Sequence, residues 1–244
     1  MIDTHRQAMA QAVVTKAAQQ VPLTGSDSEL KYDGSLVTYW DKAIEETVAQ
    51  ELKELDPGTH LVGEESHGSR DDRIGWILDP IDGTANFSRG LQYFGISLAY
   101  YGEDGARAGA IWDASRRKLC TPNNVLASRS SVPLSLSFCA TELDGPSEYK
   151  AWGVTAFKAL SEAVHTTRVP GSVALGLAHV ADGLLDLYAA PGPAIWDYAA
   201  GTILVESTSH AVVRFEDFGL SSPTLIAGLP EIVEWFISAM VARH

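Results

Sequence analysis

Between Trp76 and Phe87 the chain reads Trp-Ile-Leu-Asp-Pro-Ile-Asp-Gly-Thr-Ala-Asn-Phe, which sets the carboxylates of Asp79 and Asp82 three residues apart with Pro80 between them. Two carboxylates that close repel each other unless a cation sits between them. Gly83 and Thr84 follow at what reads as a helix start, where free backbone N–H groups favour an anion. A cation site and an anion site therefore adjoin. Other acids stand where they could join them: Asp41 in the first turn of a helix, the pair Glu64-Glu65 at a strand end, and Asp197 beside Trp196. Taken alone, Asp41 satisfies a helix macrodipole and Asp197 a helix cap as well as either serves chemistry.

The elements that must position these groups follow from periodicity and punctuation. Gly75 to Leu78 suits a strand covered on both faces, and Pro80 keeps the backbone beyond it extended or turning. A packing helix is expected from about Thr4 to Val21, stopped by Pro22 and Gly25. A short hairpin or loop carrying Lys31 comes next, then a helix from Asp41 through Leu55. His60 to Ser66 reads as a short strand. Adjacent acids on an extended chain point to opposite faces, so Glu64 is expected to look into the site and Glu65 away from it. The polar loop 67–73 reads as a connector.

Tyr93 to Tyr101 and Arg107 to Trp112, joined by Gly-Glu-Asp-Gly, form a hairpin that begins an antiparallel sheet. Leu134 to Ala140 and Leu184 to Tyr188 read as strands. Ser147 to Ala163 reads as a helix with Trp152, Phe157 and Leu160 on one face. Gly171-Ser172 opens an Ala-rich helix, and Glu231 to Met240 a last packing helix. His179 and Asp182 are expected to be structural, because His179 has no partner at metal-ligand spacing.

A chain of 244 residues can bury a core as a single domain, here divided into an N-terminal α+β part of about 1–140 and a C-terminal α/β part of about 141–244. Its 18 Lys and Arg against 31 Asp and Glu, a net charge of −13, argue against a nucleic-acid polymer as partner. Two cysteines are too few for a disulfide framework. There is no run of 18 apolar residues and no signal-peptide layout at the start, so a cytoplasmic protein without a membrane partner is expected.

The string from Asp79 to Phe87 resembles the Asp-Pro-Ile-Asp-Gly-Thr-x-Asn-Phe signature of the inositol monophosphatase family, magnesium-dependent and lithium-sensitive phosphatases with relatives acting on sugar and nucleotide phosphates. Lys31 to Asp41, Gly63-Glu64-Glu65, Arg168 to Ala174 and Trp196 to Gly201 resemble further segments of the same family. The resemblance implies a layered αβαβα sandwich, an α+β fold. It implies that Glu64, Asp79 and the Ile81 carbonyl hold one Mg²⁺, that Asp79, Asp82 and Asp197 hold a second, and that a third is possible near Glu64, with Mn²⁺ able to substitute. Hard oxygen ligands without His or Cys agree with those ions.

The same resemblance makes Asp41, Glu64 and Thr84 catalytic, aiming a metal-activated water at phosphorus. It also makes Asp82, Gly83, Thr84, Arg168, Gly171, Ser172 and Asp197 substrate contacts. A small phosphorylated substrate is the expected partner, and a homodimer is open. Two departures stand out. The Gly-rich hairpin usual after the next short strand is missing near 120–127, and Ala190 occupies the position where inositol-preferring members carry a Glu, seven residues before Asp197. Inositol monophosphate is therefore the leading substrate, with 3′-phosphoadenosine 5′-phosphate, a sugar bisphosphate or histidinol phosphate as alternatives. A non-catalytic metal-binding scaffold with this fold is the reading of another class.

Overall fold

The computed structural model describes residues 2–32, 34–65, 74–126 and 128–243, so the expected connector at 67–73 lies outside the described residues. One five-stranded sheet has the order β3 (Leu61–Gly63), β4 (Gly75–Asp82), β5 (Gly95–Gly102), β6 (Gly105–Asp113), β7 (Lys118–Cys120). A second has the order β11 (Val212–Glu216), β12 (Thr224–Gly228), β10 (Leu187–Pro191), β8 (Phe138–Thr141), β9 (Thr166–Arg168). A small hairpin pairs β1 (Ser28–Leu30) with β2 (Leu36–Thr38).

Strand alternation builds the layers. Trp76 and Leu78 point toward α1 (Thr4–Ala18) and α2 (Tyr39–Leu55), while Ile77 points to the opposite face, against α5 (Val173–Ala181) and α6 (Ile195–Glu206). Ala140, Tyr188, Ala190, Leu225 and Ala227 of the second sheet meet the same two helices from the other side. Cys139, Leu187, Ala189 and Ile226, on the reverse face, pack under α4 (Ser147–Ala163) and α7 (Pro230–Val241). The result is the expected αβαβα sandwich, with α5 and α6 as its middle layer.

That middle layer fits because small residues let its helices approach both sheets and each other. A Cβ on Gly176 would fall 2.3 Å from the Tyr188 ring, one on Gly109 2.7 Å from Ile203, and one on Gly201 2.4 Å from Leu177. Gly176→Ala is therefore expected to cost about 1–3 kcal/mol by overpacking. Denaturant unfolding checks this, and a midpoint equal to that of the wild type would show the layers are looser than drawn.

Several sequence expectations change. Leu134–Leu136 is a short 3-10 turn after Pro133, and the strand begins only at Phe138. Phe157 is exposed, whereas the buried face of α4 is Tyr149, Trp152, Gly153, Ala156, Ala159 and Leu160. The segment 184–188 starts its strand late and runs on through Pro191, so Ala190 lies in β10 and not in a loop. Cys120 and Cys139 are free and buried. At the missing hairpin the chain turns at once, with the Asn124 side chain accepting from the Thr121 N–H and donating to the Leu119 carbonyl, which leaves β7 as a short edge. No helix among the described residues is long and apolar enough to cross a membrane.

Candidate active site

All eight residues of β4 are buried, carboxylates included. In a regular strand, residues three apart face opposite sides of the sheet. Here Asp79 pairs with Ser97 and Asp82 with Gly95, so three steps on β4 match two on β5, and the register breaks between them. Pro80 sits inside that irregularity, where a missing N–H costs no ladder bond. The extra residue turns Asp82 to the face that Asp79 already uses, toward the middle helices. Asp79 Oδ1 accepts the Ile81 N–H at 3.0 Å, closing the turn on itself.

Asp82 meets the start of α5. Its Oδ2 accepts from Ser172 Oγ at 2.6 Å and from the Ala174 N–H at 2.5 Å, and its Oδ1 accepts from the Val173 N–H at 3.3 Å. A carboxylate at a helix N-terminus is the favourable charge there. Burial pushes Asp82 up to about 6 despite those donors. Asp197 lies in the first turn of α6, where its Oδ2 accepts the Ala194 N–H at 2.8 Å, and the carbonyl of Trp196 accepts from Ser97 Oγ at 3.2 Å. Ser97, directly opposite Asp79, thus ties the α6 start to the strand that carries the first carboxylate.

Asp41 closes the site from the third side. The first turn of α2 holds it: its Oδ2 accepts from the Thr38 N–H at 2.7 Å and from Thr38 Oγ1 at 2.5 Å, while its Oδ1 faces Thr84 Oγ1 at 3.2 Å. Thr84 Oγ1 also lies 2.9 Å from the Ile81 carbonyl. One hydroxyl proton thus faces two acceptors, and the lone pairs of the same oxygen stay open to a donor. Burial raises the pKa of Asp41 against the Thr38 bonds that lower it.

Glu64 and Glu65 correct an expectation. They lie in a turn just past β3, and Lys31 Nζ reaches both, Glu64 Oε1 at 2.8 Å and Glu65 Oε1 at 2.5 Å. Without extended backbone the opposite-faces rule does not apply. Burial opposes the Lys31 ammonium, yet the two carboxylates outweigh it and raise its pKa.

Electrostatics identifies the group as a unit. Burial raises the pKa of Asp79 far above the carboxylate range, and the charges of Glu64, Asp82, Asp197 and Asp41 add to the rise. Burial likewise raises Asp197, with Asp82 and Glu64 adding to it. Among the described residues, no three His, Cys, Asp or Glu side chains converge closely enough to hold an ion by themselves. Mg²⁺ does not require such a cage, because it keeps several waters and binds through one or two carboxylates plus substrate phosphate. The donor set, carboxylates with the Ile81 carbonyl, fits that ion and gives Zn²⁺ no imidazole or thiolate.

Gly83, in a left-handed conformation with φ 95°, precedes the short helix α3 (Thr84–Ser88). A Cβ there would stand 3.0 Å from the carbonyls of Gly171 and Tyr93, so only glycine fits. Gly171 and Ser172 join the group, while Arg168 does not. The Arg168 side chain is exposed and bonds to Thr166 Oγ1 and the Thr167 carbonyl on its own edge strand. His179 and Asp182 are structural as expected: His179 sits between Tyr93 OH and Asp113, and Asp182 takes Arg116 and Lys118.

Sequence reasoning missed the supports. Asn86 Nδ2 donates to the carbonyls of Tyr93 and Pro170, both at 2.9 Å, and lies 3.3 Å from that of Gly171. Its place inside the central motif was the available signal. Ser97, Thr38, Glu142 and Tyr188 carried none, since each is a single polar residue in an otherwise ordinary element.

The family model described as "Inositol monophosphatase family" matches residues 2–216. The inositol-1-monophosphatase of Bacillus subtilis (strain 168) is 31% identical over 212 residues, 81% of this chain and 80% of that protein. The Nus factor SuhB of Salmonella typhimurium (strain LT2) is 28% identical over 229 residues, 88% of this chain and 85% of that one. The crystal structure of the extragenic suppressor protein SuhB from Bartonella henselae superposes with a TM-score of 0.81 at 24% identity, covering 96% of this chain and 95% of that one, a likeness of fold. With the family model spanning most of the chain and the acidic group assembled at the end of β4, the chain belongs to the inositol monophosphatase family.

Proposed function

We propose that this protein is a Mg²⁺-dependent phosphomonoesterase that hydrolyses small phosphate esters, inositol monophosphate foremost, without a phosphorylated enzyme intermediate. The observation that carries the reading is the grouping of Glu64, Asp82, Asp197 and Asp41 around the buried Asp79, too open to cage an ion unaided yet near enough for their negative charges to raise the pKa of Asp79, a repulsion that calls for cations. Ions held by Glu64, Asp79, the Ile81 carbonyl, Asp82 and Asp197 would supply positive charge to the phosphate and lower the pKa of water. Thr84 can accept a hydrogen bond from that water while its own proton goes to the Ile81 carbonyl or to Asp41. Asp41, with its pKa raised by burial, is suited to take up a proton. The N–H groups of Gly83 and Thr84 are assigned to the phosphate oxygens.

The test is phosphate release from a panel of monoesters with Mg²⁺ and with chelator. Chelator-sensitive release supports the reading, and release from none of them favours the metal-binding scaffold.

Ala190 bears on which alcohol leaves. It is 2% exposed and shares the sheet face of Tyr188, and it offers no group that would go unpaired with the wrong substrate. Sites that do hydrogen-bond a substrate hydroxyl discriminate strongly for that reason. The kcat/KM values for inositol 1-phosphate, a nucleoside monophosphate, 3′-phosphoadenosine 5′-phosphate and a sugar bisphosphate are expected to lie within about two orders of magnitude of one another. A preference beyond about a thousandfold would show that other residues read the alcohol.

A further inference from the structure

The turn that leads into α5 is gripped from both sheets at once. From the first sheet, Asp82 takes Ser172 Oγ and the N–H groups of Val173 and Ala174. From the second, Glu142 at the end of β8 accepts the Gly171 N–H on Oε2 at 3.0 Å and Tyr188 OH on Oε1 at 2.8 Å. Gly171 adopts φ 76°, outside the helix that follows, so no helical carbonyl can take its N–H. The partner the structure supplies is Glu142. The Glu142 N–H in turn donates to the Ala189 carbonyl at 3.3 Å, which extends the β8–β10 pairing and anchors the backbone under the side chain.

Glu142 is only 6% exposed, so it reaches neither solvent nor an external partner to any useful degree. Burying a carboxyl this deep is costly unless it does something there. Burial pushes it up to about 8, against the lowering effect of Tyr188 and Gly171. Both oxygens are spent on the turn and on the tyrosine that stands across from Gly176.

We propose that Glu142 is a positioning residue which, through the N–H of Gly171 and braced by Tyr188 OH, holds the α5 N-terminus on Asp82 and so fixes the direction in which that carboxylate faces the site. The proposal deepens the phosphatase reading and rests on it. Loss of the latch frees the 171–174 amides, takes donors from Asp82 and weakens whatever cation Asp82 helps to hold. Partners of this kind behind a metal ligand are worth about 10–100-fold in metal affinity or activity.

Glu142→Ala, Glu142→Gln and Tyr188→Phe test it in the full chain. In Glu142→Ala, amide hydrogen exchange at Gly171, Val173 and Ala174 in the metal-free protein is expected to quicken about tenfold or more, with the β12 amides unchanged. Mg²⁺ binding measured by calorimetry is expected to weaken about tenfold, with a matching loss of kcat. Glu142→Gln should restore all of these to within about threefold, because its amide oxygen accepts from Gly171 while its NH₂ donates to the Tyr188 oxygen. Wild-type exchange and Mg²⁺ affinity in Glu142→Ala, whether or not its melting temperature falls, would overturn the proposal.

If Glu142→Ala does not fold, Tyr188→Phe, which keeps the ring and removes only the brace, decides. Exchange of the Gly171 amide faster by about threefold supports the latch, and wild-type exchange overturns it. Exchange is read without metal or substrate. A wild type that releases no phosphate would thus overturn the phosphatase reading and leave this arm to judge the latch alone.

Discussion

Asp82→Asn is expected to lower kcat/KM by about 10²–10³ while leaving the fold intact, because it takes an anionic ligand from the cation that is to neutralise the phosphate. The local geometry permits the exchange. Ser172 Oγ and the Ala174 N–H both approach Oδ2, so an asparagine that places its oxygen there keeps the two short bonds. Its NH₂ then falls beside the Val173 N–H, where the lost contact is a long one of 3.3 Å. Removing a negative charge also relieves Asp79 and Asp197, whose pKa values Asp82 raises. The metal-free variant should therefore melt no lower than the wild type. Steady-state kinetics at saturating Mg²⁺ with circular dichroism measures both, and activity within a few-fold of wild type would remove Asp82 from the site.

Metal-free protein is expected to lose stability as pH rises from about 4 to 8, and millimolar Mg²⁺ to restore it. The sign follows from proton counts. Asp79, Asp82, Asp197, Glu64 and Asp41 all have folded pKa values above those of the unfolded chain, Asp82 at about 6, and Glu142 at about 8 belongs with them. Between the ordinary carboxylate range and those values the folded state binds more protons than the unfolded, so stability falls with rising pH. Asp82 alone, moving from 3.8 to about 6, accounts for a loss on the order of 3 kcal/mol.

Asp3, Asp56 and Asp113 have lowered values and act in the opposite direction, but only below about pH 4. A cation that binds only the folded state stabilises it by about 2.7 kcal/mol at a hundred times its Kd. For a chain of this length that is a rise in Tm of roughly 5–10 °C. Melting curves between pH 5 and 8, with chelator and with Mg²⁺, carry the test. A metal-free Tm that climbs with pH, or that ignores Mg²⁺, would contradict the clustered-carboxylate description.

The sequence by itself determined the family, the acidic ligand types and most helices, since each is a matter of local residue order. Asp79-Pro-Ile-Asp82-Gly-Thr84 names its chemistry without a fold, and Ser147–Ala163 carries its helix in its own periodicity. What only the tertiary structure decided is where side chains point and what holds them. Three-residue spacing on a strand places Asp79 and Asp82 on opposite faces, and the register break against β5 is what brings them to one. Glu64 and Glu65 share Lys31 because a turn replaces the extended chain. Arg168 is drawn along its edge strand by the neighbouring Thr166 and Thr167. Glu142 and Asp82, 60 positions apart in sequence, meet at the Gly171–Ala174 turn only because two sheets close on the same middle helices. Orientation across layers depends on bulges, turns and packing between distant segments, and no local pattern of residues encodes it.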